Sequence, residues 1–289
     1  MTIPRPRMML APLVALVLFG LVHSPYANAQ STPQLSPADL IKAVINTELN
    51  DSNSANVRWK YVLEKEAEGR QETRDVVETK SGSIDHLVAV SGKALSDIEQ
   101  RNESERIQRL SHSPEEQRKL EASRRKDAEQ CSAFLKMIPD AFVFADTGER
   151  AGDSGDLVKL TFKPNPSFQP SSREGKVLRE MAGDVWVDAR QHRLVSIDGQ
   201  LLNDVKFGFG LFGHLEKGGR FSVKRAELAA GDWEMTEMQV NMHGKALLFK
   251  TICVQQKELH RDFERVPDDL TFADAAALLL KERLIAAKR

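Results

Sequence analysis

Three glycines between residues 208 and 213 have the spacing of a phosphate-binding loop. Gly208, Gly210 and Gly213 follow the G-x-G-x-x-G pattern, in which backbone N–H groups opening a helix hold a pyrophosphate. Here Gly218 and Gly219 follow so soon that no helix of useful length can begin. We therefore predict no nucleotide at this stretch. Glycines alternating in a strand are typical instead of a sharp bend in a sheet.

The other residues that could do chemistry are equally isolated. Residues 152–155 read GDSG, a fragment of the sequence around the nucleophile of serine proteases, but no histidine upstream has the context of a catalytic base. The seven histidines include no H-x-H or H-x-x-x-H pair, so no metal site is predicted. We predict no cofactor and no enzyme; a hydrolase with a site that the sequence does not reveal is the alternative.

The N-terminus has the features of a secretory signal peptide. Arg5 and Arg7 precede an uncharged apolar run over residues 8–22, and a small-residue site, Ala27-Asn28-Ala29, follows it. The apolar run is shorter than the roughly 20 residues that span a bilayer. We predict cleavage after Ala29, which leaves residues 30–289 as one domain in the periplasm.

Charge and cysteine content limit the partners. The chain has 41 basic and 42 acidic residues, so its bulk charge predicts no nucleic-acid binding. Its two cysteines, Cys131 and Cys253, could form a disulfide in an oxidising compartment or remain as two buried thiols.

Hydrophobic periodicity predicts mostly strands, with helices at the start, in the middle and at the end. A helix begins near Pro37, and alternating apolar residues from Val57 to Leu63 then open a series of strands. A charged helical insertion covers about residues 96–138, with a helix beginning after Ser113. Its charges over 96–130 are typical of a solvated helix face, and a partner surface is the alternative. A last helix spans Thr271 to about Ala287.

Strands in uninterrupted series pair antiparallel by default, so the pattern predicts an α+β fold. We expect a curved antiparallel sheet, or unclosed β-barrel, whose open side is covered by helices.

One hairpin resembles a known family. Residues 183–188 read GDVWVD and residues 193–199 read RLVSIDG, which is similar to a hairpin of LolA-like periplasmic proteins. That superfamily includes lipoprotein carriers, their outer-membrane acceptors and RseB-type envelope sensors. The resemblance implies an unclosed barrel with a helical lid over an apolar cavity that receives acyl chains. The arginine that latches the lid in LolA has no recognisable counterpart in this sequence.

The resemblance and the apolar strands together predict a periplasmic, non-enzymatic carrier of lipid or lipoprotein acyl chains. An RseB-like sensor or scaffold, with an envelope protein bound to segment 96–130, is the alternative. Methionine suits surfaces that repack around varied ligands, although it also fills ordinary cores. The residues expected to line the cavity are Trp59, Tyr61, Phe207, Phe209, Leu211, Met235, Met238 and Met242.

Overall fold

The first and last strands of the chain lie side by side near the middle of one large antiparallel sheet. The computed structural model describes residues 35–54, 57–207, 213–246 and 250–286. Within these residues the strands are β1 (Arg58–Ala67), β2 (Arg70–Thr79), β3 (Gly82–Val90), β4 (Lys93–Ala94), β5 (Phe142–Ala151), β6 (Leu157–Pro164), β7 (Met181–Asp188), β8 (Arg193–Leu201), β9 (Val205–Phe207), β10 (Gly213–Leu215), β11 (Arg220–Ala229), β12 (Asp232–Ala246) and β13 (Lys250–Val266).

The sheet is not closed into a barrel. Its order is β4-β3-β2-β1-β13-β12-β11-β8-β7-β6-β5, and β10 pairs with β9 and with β12. The N-terminal meander β1–β4 joins the rest of the sheet only through β1 and β13, which are antiparallel. Strand β4 is therefore one edge of the sheet and β5 is the other.

Five helices accompany the sheet within the described residues. They are α1 (Pro37–Ser54), α2 (Asp97–His112), α3 (Pro114–Ala141), α4 (Arg173–Leu178) and α5 (Phe272–Ala286). The Ser113 side chain accepts a hydrogen bond from the Glu116 backbone N–H, which caps α3 at its start. The other boundary differs from expectation, because α3 continues past Pro139 to Ala141 before β5 begins.

The first hydrophobic cluster lies between α1, α4, the end of α3 and strands β5–β9. Its most buried large side chains include Leu160, Phe162 and Leu201, each 2% exposed or less. Phe134, Leu135 and Ile138 of α3 pack against it. The apolar C-terminal end of α3 therefore docks on the sheet. Four side chains of α1, from Leu40 to Ile45, belong to the same cluster.

The second hydrophobic cluster joins β2 and β3 to α2 and α5. Val77 of β2 and Ile84 of β3 face each other across the ladder and pack with Ile107 of α2 and Leu279 of α5. Successive side chains of a strand point to opposite faces, so this cluster lies on the face of β2 opposite to Val76. Val76 pairs with Tyr61, and Tyr61 therefore faces the other way.

Helix α3 bridges the two edges of the unclosed sheet. Near its start Leu120 packs against the second cluster, and Arg124 donates a hydrogen bond to the backbone carbonyl of Ser83 in β3. Its other end packs on the first cluster and leads directly into β5. At 1.5 Å per residue its 28 residues span about 42 Å. Between residues 121 and 133 only Arg124 and Ser132 are not exposed.

The fold confirms the expected class: an α+β protein with a large antiparallel sheet, not closed into a barrel, and helices. The charged segment 96–138 contains two helices, α2 and most of α3. The start of α2 was not predicted, although Ser96 and Glu99 form a capping box that the sequence displays as S-x-x-E.

None of the helices in the described ranges is both long enough and apolar enough to cross a bilayer.

Candidate functional site

Strand pairing brings together polar side chains that are almost 200 residues apart in the chain. The register places Leu63 of β1 opposite His260 of β13, and Glu258 of β13 opposite Met238 of β12. Trp59, at the start of β1, is 6% exposed and donates its indole N–H to Asp232 at 2.7 Å. Its backbone N–H donates to the Glu78 carboxylate at 3.1 Å.

Several of these residues belong to what we call the central polar cluster, which surrounds Tyr61. The cluster contains Tyr61, Glu78, Glu234, Glu258 and His260. The Tyr61 ring stacks on the imidazole of His260, with the ring centroids 4.9 Å apart, and Phe263 lies 5.2 Å from Tyr61 on the same measure. His260 Nε2 lies 3.7 Å from a carboxylate oxygen of Glu258, which also pairs with Lys65 at 2.8 Å.

The pKa values of the acidic groups in the cluster are shifted in opposite directions by their different surroundings. Burial, followed by repulsion from Glu78 and Asp232, raises the pKa of Glu234 to about 7. Burial likewise raises the pKa of Glu78, and it raises the pKa of the Tyr61 hydroxyl. In contrast, His260 and then Lys65 hold the pKa of Glu258 at about 2 against the effect of burial. At neutral pH, Glu234 is therefore partly protonated and can donate a hydrogen bond.

Helix α1 reaches this region through a buried ion pair. Arg225 of β11 pairs with Glu48 of α1, and their side chains are only 17% and 13% exposed. Arg225 also donates to the Trp233 backbone carbonyl, while Glu48 accepts from the Leu194 backbone N–H at 3.3 Å. This network attaches the C-terminal half of α1 to the sheet beside Glu234.

A strip of half-buried apolar side chains continues from the central polar cluster across the face of the sheet that Tyr61 occupies. We define this apolar strip as Leu63, Val223, Met235, Met238, Val240 and Phe263. Register supports the shared face, because Met238 lies opposite both Glu258 and Val223, and Val240 lies opposite Phe221. None of the six belongs to either hydrophobic cluster of the described residues. The strip is thus apolar surface that the two clusters do not use.

The predicted lining residues divide into four groups. Met235 and Met238 are in the apolar strip, whereas Phe207 and Met242 pack at the margin of the first hydrophobic cluster. Trp59 and Tyr61 lie among carboxylates and also pack against Phe263, so their surroundings are both polar and apolar. Phe209 and Leu211, with the predicted bend at Gly208 and Gly210, lie outside the described residues. So does the predicted signal peptide, residues 1–29.

The cysteines do not form a disulfide in this structure. Cys131 is a free, exposed thiol on the bridging helix α3, so the buried-thiol alternative is wrong for this residue. Cys253 lies on β13, and its side chain is outside the described part of the chain.

Sequence reasoning missed Glu78, Glu234, Glu258 and His260. These residues meet around Tyr61 only because β1 pairs with β13 at the far end of the sequence, so no local spacing identified them. Alternation along β1 singled out Trp59 and Tyr61 without showing which partners they meet.

The raised pKa of Glu234 predicts how stability depends on pH. The unfolded state loses this proton near pH 4.5 and the folded state near pH 7, so stability falls as pH rises across that window. We expect Glu234→Gln to raise the free energy of unfolding at pH 8 by about 1 to 2 kcal/mol, allowing for partial exposure. The gain should shrink toward pH 4.5.

Urea denaturation of wild type and variant at both pH values measures this difference. Glu237→Gln on β12 removes a carboxylate that pairs with Lys224 instead, and it serves as the control. An equal gain from Glu234→Gln at both pH values would contradict the assignment.

The arrangement places polar and apolar groups side by side. In the described residues, no three or more His, Cys, Asp and Glu side chains are placed to hold a metal ion. The central polar cluster offers hydrogen-bond donors and acceptors, and the apolar strip beside it offers a surface for hydrocarbon. The two together suit a ligand with a polar part and an apolar part.

Comparison of the chain with protein-family models, with characterised proteins and with solved structures gave no match. The resemblance of the hairpin at residues 183–199 to LolA-like proteins therefore stays a prediction.

Proposed function

We propose that this protein is a non-enzymatic periplasmic carrier that binds the acyl chains of a lipid or lipoprotein. The observation that carries the proposal is the apolar strip, whose six side chains remain half-buried and outside both hydrophobic clusters. Transfer of hydrocarbon from water to such a surface contributes about 0.8 kcal/mol per buried CH₂. A ligand on the strip would therefore gain the free energy of burying apolar surface that the protein's own packing leaves partly exposed.

The central polar cluster gives the same ligand a place for its polar end. The partly protonated Glu234 and the Tyr61 hydroxyl, which keeps its proton, can donate to the ester or amide carbonyl that joins an acyl chain to the rest of a lipid. Carboxylates with a low pKa, such as Glu258, stay acceptors. The ligand would thus be oriented by one end and held by the other.

The bridging helix α3 is the element that would move when the ligand enters or leaves. It is packed at both ends and exposed in between, so opening requires undocking of one end rather than unfolding of the sheet. Cys131 on the exposed part gives a natural reporter position.

Titration with a fluorescent fatty acid tests the proposal. We expect saturable binding with one probe per chain and a blue-shifted emission, because the probe enters an apolar site. A fluorophore on Cys131, in a Cys253→Ser background, should change its emission during the same titration. Emission of the fatty acid that rises linearly without saturating would exclude a built site.

A second function, an envelope sensor or scaffold acting through protein contacts, is favoured by one observation. The middle of α3 is exposed and carries both signs of charge, in Glu121, Arg125, Lys126, Asp127 and Glu129. Reversing these charges should abolish capture of an envelope protein while leaving fatty-acid binding intact if this function holds. Loss of neither property would leave the exposed face an ordinary solvated helix.

A further inference from the structure

A groove with a strong excess of positive charge lies where the bridging helix α3 meets the turn between β2 and β3. It has a volume of about 490 Å³. The turn contributes Lys80, Ser81 and Gly82, and α3 contributes Arg118, Glu121, Ala122, Arg124, Arg125 and Ala128. Four cations thus surround the groove and one carboxylate opposes them. We call this the cationic groove.

Most of that charge is not neutralised within the protein. Lys80 and Arg118 form no ion pair with any residue that the structure describes. Arg125 has only Glu129, at 3.8 Å, with both side chains more than 70% exposed. Exposed ion pairs of that kind contribute little to stability. Positive charges converging on one groove without partners attract an anion.

Arg124 is held in the wall of the groove by a contact that requires a glycine. Its guanidinium lies against Gly82, where a Cβ would overlap it, and Gly82 has a φ of +125° that other residues rarely adopt. One nitrogen donates to the Ser83 carbonyl, while Nη1 is buried without a hydrogen-bond partner in the described residues. Arg124 thus forms a fixed part of the wall, and its guanidinium adds to the positive charge of the groove.

The position of the cationic groove connects it to the proposed carrier site. The groove opens where α3, the helix that would move in the carrier function, meets the sheet, and Arg124 of α3 attaches there to Ser83 of β3. We propose that the cationic groove binds a phosphate group, as carried by the headgroup of an anionic lipid whose acyl chains occupy the apolar strip. This inference rests on the proposed carrier function, and it adds the ligand's charge class.

Binding of two short-chain lipids of equal chain length tests the inference. We expect the full mature chain to bind dioctanoyl phosphatidic acid at least about tenfold more tightly than dioctanoylglycerol, which lacks the phosphate. Lys80→Gln combined with Arg118→Gln should abolish that preference and leave binding of dioctanoylglycerol unchanged. Arg220→Gln is the matched control, because Arg220 is an exposed arginine that lines a different groove, beside Gln239 and Asn241.

The outcomes separate this inference from the carrier function. Equal binding of the two lipids, or a preference that survives Lys80→Gln with Arg118→Gln, would overturn the cationic groove and leave the carrier function intact. Binding of neither lipid would overturn the carrier function. If inorganic phosphate then still binds, and the double variant abolishes that binding, the groove takes free phosphate, and its assignment to a lipid headgroup fails.

Discussion

Replacing Met238 by aspartate should reduce lipid binding by more than tenfold while the protein stays folded. Met238 lies in the middle of the apolar strip, opposite Val223 on one side and Glu258 on the other. An added carboxylate would stand beside Glu258 and would be desolvated by any acyl chain on the strip. Since Met238 belongs to neither hydrophobic cluster, folding does not depend on it as it does on Phe162.

The neighbouring residue provides the control for this prediction. Gln239 is exposed, pairs with Ser222 and points to the opposite face of the same strand. Gln239→Asp introduces the same charge into the same strand and should leave fatty-acid binding unchanged. Fluorescence titration measures both variants, and circular dichroism shows whether each is folded. Equal loss of binding in the two variants would mean that the face of the sheet does not matter, contrary to the proposal.

The second large effect is expected from Arg225→Ala, which should lower the free energy of unfolding by about 3 to 5 kcal/mol. The substitution leaves the Glu48 carboxylate buried without its cation, and it removes the hydrogen bond to the Trp233 carbonyl. Desolvation of an unpaired charge is the larger part of this loss. Helix α1 should then dock less firmly on the sheet.

Lys224→Ala is the natural comparison for Arg225→Ala. Lys224 is the preceding residue, its ion pair with Glu237 is on the other face, and its side chain is 56% exposed. We expect a change of less than about 1 kcal/mol, as is usual for a surface ion pair. Urea denaturation near pH 7 measures both variants. Similar values for the two would show that the Glu48 ion pair is as solvated as the surface pair.

Local patterns predicted most of the elements of this fold. Alternation from Val57 to Leu63 indicated β1, and the proline after Ser113 indicated the start of α3. Such features depend on residues a few positions apart, so one sequence is enough to read them. The class of the fold followed, because strands in series with few helices between them pair antiparallel.

The composition of the site could not be read in the same way. Tyr61 and His260 stack because β1 pairs with β13, and that pairing joins segments about 200 residues apart. A strand pattern shows that a side chain faces inward but not which side chains it meets. Trp59 and Tyr61 were accordingly expected in an apolar lining, and the charges of Glu78 and Glu234 around them were not foreseen.

The most direct test of the carrier function is native mass spectrometry of the protein, purified without detergent from the cells that produce it. We predict a bound mass, released on unfolding, that corresponds to an acylated molecule in roughly one-to-one ratio with the chain. The Met238→Asp variant should carry much less of it than the Gln239→Asp variant. A wild-type protein that is recovered empty, and that takes up no lipid when lipid is added, would contradict the account.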